Sequence, residues 1–220
     1  MKGNNMENII IKIQNASVSF KGFVLKPVNI EIPEGYIIGI TGANGAGKST
    51  FLKMVLGCFP GMQGNITVNG IDIIKKRSRI LSRTGVISEE RIFFESEDAV
   101  KNEEYFSGFY KNWDKEIYRN MLKKMNISLS KNIGNLSKGE RVKYQLAFSA
   151  TYKPDLLVLD EPVAGLDPVF KKDFMKILQE FVAEFGTTIL ISDNVKENLD
   201  KIADYIIAIN NGECIWKEAF

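Results

Sequence analysis

The chain alternates short apolar runs with longer segments of mixed polarity. Three of these runs, YIIGI, LLVLD and TILI, are apolar without alternation, which is typical of strands buried on both faces of a parallel sheet. Runs nearer the N-terminus alternate apolar and polar residues, as antiparallel strands with one wet face do. The pattern predicts strands at 8–13, 28–32, 36–41, 65–69, 84–88, 156–160, 187–192 and 205–209.

A helical pattern is clearest over residues 170–185. Apolar side chains recur there at intervals of three and four and form one stripe. Asp167 supplies an N-cap, Pro168 a first-turn proline and Gly186 a stop signal. Residues from roughly 95 to 150 show no convincing strand and are rich in Glu, Lys, Tyr and Phe, which predicts a helical insert. Strands alternating with helices indicate an α/β fold.

Composition narrows the class of protein only slightly. The 220 residues can bury a sizeable core, and 45% of them are apolar, which is ordinary for a globular protein. A net charge of +2 gives no sign of a nucleic-acid partner. Cys58 and Cys214 imply no disulfide framework, in keeping with a reducing cytosol. No signal peptide and no membrane-spanning run are predicted, so any link to a membrane is expected through a partner.

The densest basic stretch, KKRSRILSR, runs from Lys75 to Arg83 and contains no acidic residue. We favour a solvated loop or helix face for it. The alternative is a surface that binds an acidic partner.

Three glycines within six residues, followed at once by Lys, Ser and Thr, indicate a backbone shaped around a ligand. The segment GANGAGKST fits the pattern G-x-x-x-x-G-K-[ST], between a predicted strand and a predicted helix. In that setting, backbone N–H groups converge on phosphate oxygens. Lys48 is then expected to reach the β and γ phosphates and Ser49 to coordinate Mg²⁺. The predicted phosphate-binding residues are Gly42, Ala43, Asn44, Gly45, Ala46, Gly47, Lys48, Ser49 and Thr50. The alternative is a glycine-rich turn without a ligand.

Two acidic residues end the apolar run LLVLDEP. Ligands of open α/β sheets bind at the carboxyl ends of the strands, so Asp160 is expected beside the phosphate loop, holding Mg²⁺ through water. Glu161 is placed to orient or deprotonate an attacking water. A loop or capping role is the alternative for both acids.

The segment LSKGE has two compatible interpretations. Ser137 and Glu140 fit a capping box at the start of a helix. The same N-terminus, with Ser137 and the Gly139 backbone, also fits an anion-binding site.

Together these segments resemble the ATP-binding cassette (ABC) family over nearly the whole chain. Gly42–Thr50 matches the Walker A loop, Leu136–Glu140 the signature, Leu156–Glu161 Walker B and Ala164–Asp167 the D-loop. Within the family, the segments NWDKEIY, LSKGE and KIADYIIAINNG look most like ATPase subunits of small bacterial exporters.

The resemblance implies one cassette over residues 1–220, with a phosphate-loop (RecA-like) core. An N-terminal antiparallel β subdomain and an inserted α-helical subdomain are expected with it. The core with its β subdomain is expected at 1–90 and 150–220. The helical subdomain that carries the signature is expected at roughly 91–149.

The resemblance also implies a dimer that closes around ATP and Mg²⁺. Each ATP lies between the Walker loop of one subunit and the signature of the other, where Ser137 and Gly139 would contact it. Phe20 matches the aromatic residue that stacks on adenine; the alternatives are a core role for Phe20 and stacking by Phe23. Glu89 falls where the family usually has the Q-loop glutamine, and a carboxylate there can still coordinate Mg²⁺.

The sequence departs from the family at the switch histidine. The chain contains no histidine, and Asn194 stands at that position. An amide can donate to the γ-phosphate but cannot accept and carry a proton. Losing one preorganised donor of this kind costs on the order of 10²–10³ in turnover. Because Glu161 is intact while Ala164 replaces the D-loop serine, we expect slow hydrolysis with binding preserved. Asp193 or Asn194 can also simply cap the next helix.

The resemblance therefore predicts the ATPase subunit of a transporter that drives a separate membrane permease. It would be cytoplasmic and peripheral on the inner membrane face, and residues of roughly 95–135 would dock on the permease. The alternative is a regulatory cassette that hydrolyses little and pairs with an active one, which the residues at 89, 164 and 194 favour. A soluble ABC protein of DNA repair or translation fits poorly, because the chain has one cassette and no room for long coiled-coil arms.

Overall fold

The computed structural model describes residues 8–218, which form two sheets and a group of helices. The strands are β1 (Ile9–Phe20), β2 (Phe23–Pro33), β3 (Ile37–Thr41), β4 (Gln63–Val68), β5 (Ile71–Asp72), β6 (Thr84–Ile87), β7 (Leu156–Leu159), β8 (Thr188–Ser192), β9 (Tyr205–Asn210) and β10 (Glu213–Glu218). The helices are α1 (Lys48–Val55), α2 (Arg77–Leu81), α3 (Ala99–Phe106), α4 (Lys115–Lys124), α5 (Lys138–Ala150), α6 (Pro168–Phe185) and α7 (Lys196–Leu199), with short 3-10 helices at Ser107–Phe109 and Ile133–Asn135.

The smaller sheet is antiparallel, with strand order β2-β1-β4-β5. Its strands alternate buried and exposed residues over much of their length, as predicted for one wet face. Strands β1 and β2 run further than the sequence pattern indicated and meet in a tight hairpin between Phe20 and Phe23. Gly22 has a φ of 89° at that turn, which a residue with a side chain rarely adopts.

The larger sheet has the order β10-β9-β3-β8-β7-β6 and is parallel except for its edge strand β10. Strands β7 and β8 are buried along their whole length, and β3 is buried up to its last residue. The mixed α/β fold with an antiparallel subdomain and a parallel core is therefore confirmed. Strand β10 was not predicted, because its exposed edge position leaves no buried apolar run.

Helices α3, α4 and α5 lie between β6 and β7, and aromatic side chains pack them together. The ring of Phe148 contacts those of Phe93, Tyr110 and Trp113, with centroids 4.8–5.7 Å apart. The buried hydroxyl oxygens of Tyr118 and Tyr144 lie 3.2 Å apart. Burial raises the pKa of both phenols.

Helix α6 follows its predicted signals. The side chain of Asp167 accepts a hydrogen bond from the Phe170 N–H, Pro168 begins the helix and Gly186 ends it in the left-handed conformation. Helix α2 carries most of the basic stretch on an exposed face, with Ile80 turned into the core. Among residues 8–218, no helix is long and apolar enough to cross a bilayer.

Candidate nucleotide site

The loop between β3 and α1 is shaped by its glycines. Gly42 has a φ of 156°, and a Cβ there would lie 2.3 Å from the carbonyl oxygen of Ile209. Gly47 has a φ of 116°, and its Cβ would lie 2.6 Å from the ring of Phe23. The backbone conformation therefore favours glycine at both positions, and at Gly42 the space requires it too, because the neighbouring atom belongs to the backbone. Such a backbone suits a loop wrapped around phosphates.

Lys48 contacts the phosphate loop and also the residues that follow β7 and β8. It is only 5% exposed, and its Nζ donates to the carbonyl oxygens of Gly42 at 3.0 Å and Ala43 at 3.2 Å. The same nitrogen lies 2.5 Å from Asn194 Oδ1 and 3.3 Å from Glu161 Oε1. Three segments that are far apart in sequence thus converge on one ammonium group. One concave site is lined by Lys48, Glu161 and Asn194 together with Asn44, Gly45, Gly47, Ser49 and Thr50.

The two acids after β7 are fixed by Ser192 at the end of β8. Its hydroxyl donates to Asp160 Oδ1 at 2.8 Å and accepts from the Glu161 N–H at 2.9 Å. Glu161 itself has a φ of 47°, a left-handed conformation that costs a non-glycine residue on the order of 1 kcal/mol. Sequence reasoning missed Ser192; its only signal was a hydroxyl at the end of a buried strand beside the acids.

Ser49 and Asp160 line a second cleft beside the first, together with Glu161 and Glu89. Hydroxyl and carboxylate oxygens suit Mg²⁺, which usually keeps several waters and takes one or two carboxylates plus substrate phosphates. Within residues 8–218, no cluster of three acidic or thiol side chains could hold a metal alone. The donor set thus fits a Mg²⁺ ion that arrives with a polyphosphate.

Gln145 on α5 fixes the backbone just before Glu89. Its amide accepts from the Ser88 N–H and donates to the Ser88 carbonyl oxygen, each at 3.0 Å, and its side chain is buried. The carboxylate of Glu89 forms an ion pair with Lys138 of the LSKGE segment. Gln145 was also missed: its contact joins residues 57 positions apart, and its only local sign is a glutamine within a buried stretch of α5.

The aromatic candidates lie in a row. Phe23 lines the Lys48 site directly. Phe20 is 45% exposed, and its ring centroid is 5.6 Å from that of Phe23 and 6.0 Å from that of Phe59. Phe23 is therefore the ring next to the phosphate loop, while Phe20 lies one ring further out and is more accessible.

The N-terminus of α5 contains the predicted capping box. The Ser137 hydroxyl accepts from the Glu140 N–H, and Glu140 accepts from the Ser137 N–H at 2.7 Å. Two hydrogen bonds lower the pKa of Glu140 to about 2: the larger effect comes from the Ser137 N–H and the next from the Lys131 ammonium group. The N–H groups of Lys138 and Gly139 keep no intrahelical acceptor. Among the described residues, Ser137 and Gly139 do not line the Lys48 site.

The last hairpin supports the phosphate loop from behind. The Gly212 N–H donates to the Ala46 carbonyl oxygen at 3.1 Å, and the Gly212 carbonyl oxygen accepts from the Lys26 N–H at 2.8 Å. A Cβ on Gly212 would lie 1.9 Å from the carbonyl oxygen of Val24. Only glycine fits between β2 and the loop at this point.

A phosphate loop and a pair of strand-end acids on a parallel core, with a capped helix on a helical insert, define an ATP-binding cassette. Residues 25–164 match the ABC transporter family. The chain is 31% identical over 201 residues to the ABC transporter ATP-binding protein NatA of Bacillus subtilis (strain 168), covering 89% of this chain and 81% of that protein. It is also 31% identical to the energy-coupling factor transporter ATP-binding protein EcfA2 of Clostridium perfringens, covering 93% and 78% of the two chains.

Solved structures agree with these relatives. The structure of cbiO1 from Clostridium perfringens, part of the ABC transporter complex cbiONQ, superposes with a TM-score of 0.82 at 26% identity and covers 97% of this chain and 89% of that one. The chain belongs to the ABC transporter family and is the ATP-binding subunit of a transport system.

Proposed function

We propose that two cassettes, this chain with a copy of itself or with a related chain, close around two Mg-ATP molecules and drive a separate membrane permease. The observation that carries the proposal is the convergence on Lys48 of the phosphate loop, Glu161 and Asn194. Each of these groups touches the space where the terminal phosphates of a loop-bound nucleotide would lie.

The need for a second cassette follows from the signature. Its capped helix N-terminus, an anion site by its geometry, belongs to a different part of the chain from the residues around Lys48. A dimer in which the α5 N-terminus of one chain covers the phosphate loop of the other completes both sites at once.

The chain's residues would divide the chemistry among them. Mg²⁺ would offset phosphate charge and be held by Ser49, by Asp160 through water, and by Glu89. Glu161 would orient or deprotonate the attacking water. Asn194, whose Oδ1 accepts from Lys48, keeps its amide protons for the γ-phosphate but carries no proton away. Hydrolysis would therefore be slow.

The permease would dock on a groove between the core and the helical insert. Apolar and aromatic side chains line it from both sides: Leu56, Leu81, Val86, Ile92, Phe93, Phe106, Tyr110, Phe148 and Tyr152. Phe93, which lines this groove, lies four residues from Glu89, so a docked segment would contact the chain just after the nucleotide cleft. The complex named for the cbiO1 structure supports a partner of this kind. Such a complex would hold the chain at the inner face of the cell membrane.

A regulatory cassette is the second candidate. Two features favour it: the chain has no histidine, with Asn194 at the position where the resemblance places the proton-carrying residue, and Glu89 is engaged by Lys138. Undetectable turnover of the purified chain together with tight ATP binding would favour this candidate.

The decisive measurement is the oligomeric state of the Glu161→Gln variant with Mg-ATP, by analytical ultracentrifugation. We expect a dimer with ATP and a monomer without it, because the substitution removes the base and keeps the binding contacts. If neither a second copy nor a co-expressed related cassette binds this variant in Mg-ATP, the proposed ATP-bound dimer is wrong.

The steady-state ATPase activity of an Asn194→His variant tests whether Asn194 makes hydrolysis slow. We expect a gain on the order of 10²-fold, since histidine restores a donor that can also carry a proton. Asn120→His, at an exposed asparagine of α4, is the matched control and should leave turnover unchanged. An Asn194→His variant no faster than the parent would show that this position does not limit hydrolysis.

A further inference from the structure

Lys138 lies where three segments meet. Its Nζ pairs with the carboxylate of Glu89, which follows β6. A Cβ built on Gly165, in the loop after β7, would lie 4.0 Å from the same nitrogen. Lys138 itself is the first residue of α5, directly after the cap Ser137. Lys138 therefore adds a positive charge to a helix N-terminus, whose N–H groups without an intrahelical acceptor favour an anion.

Glu89 has a second possible partner. It lines the cleft that also contains Ser49 and Asp160, the residues whose oxygens suit Mg²⁺. Gln145 holds the backbone of the preceding Ser88 by both its N–H and its carbonyl group. The Glu89 side chain can thus change partner by rotating, without a shift of the backbone before it.

The ion pair between Lys138 and Glu89 is suited to exchange. The side chains are 44% and 71% exposed, respectively, and ion pairs in such positions are weak and screened by salt. A divalent cation in the cleft competes directly for the Glu89 carboxylate, because it offers twice the charge of the ammonium group.

We propose that Lys138 is a phosphate ligand for the nucleotide bound by the opposite cassette, and that Glu89 holds it until Mg²⁺ enters the cleft of its own chain. This inference rests on the dimer of the proposed function. When Glu89 turns to Mg²⁺, the Lys138 ammonium is released toward the seam, next to the N–H of Gly139. At the nucleotide of the opposite cassette, the ammonium group then supplies a full positive charge, which the neutral Asn194 of that cassette does not.

The exchange couples the two sites. Mg-nucleotide in one cassette releases the lysine that binds nucleotide in the other, so occupation of either site favours occupation of the second. We therefore expect ATP-driven dimerisation to be cooperative in ATP and to require Mg²⁺ beyond its role in binding ATP to the single chain.

Lys138→Met in the Glu161→Gln background tests the ligand. We expect half-maximal dimerisation, followed by analytical ultracentrifugation, to need about tenfold more Mg-ATP, since one charge-assisted contact to phosphate is lost. Lys138→Arg should restore most of the affinity. The matched control is Lys124→Met, which breaks an equally exposed ion pair with Glu180 on another helix. Binding of a fluorescent ATP analogue to the dilute single chain should be equal in all four proteins, because the lysine serves the other subunit.

Glu89→Gln tests the exchange. It should release Lys138 without Mg²⁺, so that ATP with EDTA yields several times more dimer than in the parent, and it should lower the Hill coefficient toward one. Dimerisation of Lys138→Met at the parent's ATP concentration would overturn the ligand role. An unchanged requirement for Mg²⁺ in Glu89→Gln would overturn the exchange. If the Glu161→Gln parent dimerises in Mg-ATP neither with itself nor with a co-expressed related cassette, the proposed function fails, and this outcome differs from both failures of the lysine proposal.

Discussion

In the parallel core, the polar groups of the site are enclosed: Lys48 is 5% exposed and Ser192 is fully buried. At the start of α5, in contrast, Ser137, Lys138 and Glu140 are held by exposed or half-exposed contacts. The hydrogen-bond partners of Lys48 and Ser192 come from the loops that follow β3, β7 and β8. Ser137 and Glu140, in contrast, bond to each other, and Glu140 also accepts from Lys131. Both regions fit the same ligand, yet only one of them is enclosed.

The difference matches what the proposed dimer requires of each region. Groups aimed at a reacting phosphate act best when they are preorganised and shielded from water. A surface that must meet another subunit has to be open and able to change its contacts, and its affinity shows only on association. The core should therefore determine ATP affinity and chemistry, and the α5 N-terminus should determine dimerisation.

The largest expected effect is that of Lys48→Ala on the core. Two charged contacts to the phosphates would be lost, each about 1.5–3 kcal/mol, so the ATP affinity of the single chain should fall at least about 100-fold. Isothermal titration calorimetry on the dilute chain measures it. Lys12→Ala, which breaks an exposed pair with Glu31, should leave the affinity unchanged. A loss below tenfold would contradict the central role of Lys48.

A smaller effect is expected from Ser137→Ala at the α5 N-terminus. The helix loses its cap, about 1 kcal/mol of stability, and the dimer loses one contact to phosphate. The matched control is Asp98→Ala, which removes the cap of α3 in the same insert. Urea unfolding should show similar losses for both variants, whereas ATP-driven dimerisation should weaken only for Ser137→Ala. Equal effects on dimerisation would mean that Ser137 acts only through stability.

The smallest expected effect concerns pH. Glutamine at position 140 keeps the capping box but not the charge facing Lys131. The folded pKa of Glu140 is about 2, below its ordinary 4.5, so its charge stabilises the fold above pH 4.5. That contribution is lost as pH falls toward 2. The difference in unfolding free energy between parent and Glu140→Gln should thus shrink over this range. A difference independent of pH would contradict the ionic contribution.

Local sequence predicted the parts whose cause is local. Unbroken apolar runs indicated the central strands, and the signals at Asp167 and Gly186 indicated both ends of α6. Glycine spacing indicated where the phosphate loop bends. The partners of side chains were beyond such reasoning: Ser192 and Gln145 act on residues 31 and 57 positions away. For Gln145, the one local sign of its contact with Ser88 was a polar residue within a buried stretch of α5.

The hairpin between β9 and β10 has a consequence for how this chain can vary. A methyl group on Gly212 would collide with the Val24 carbonyl group of β2, and relieving that collision would strain the bond from the Gly212 N–H to Ala46 in the loop before α1. A mutational scan should therefore find Gly212 intolerant of substitution, although it belongs to none of the predicted nucleotide motifs.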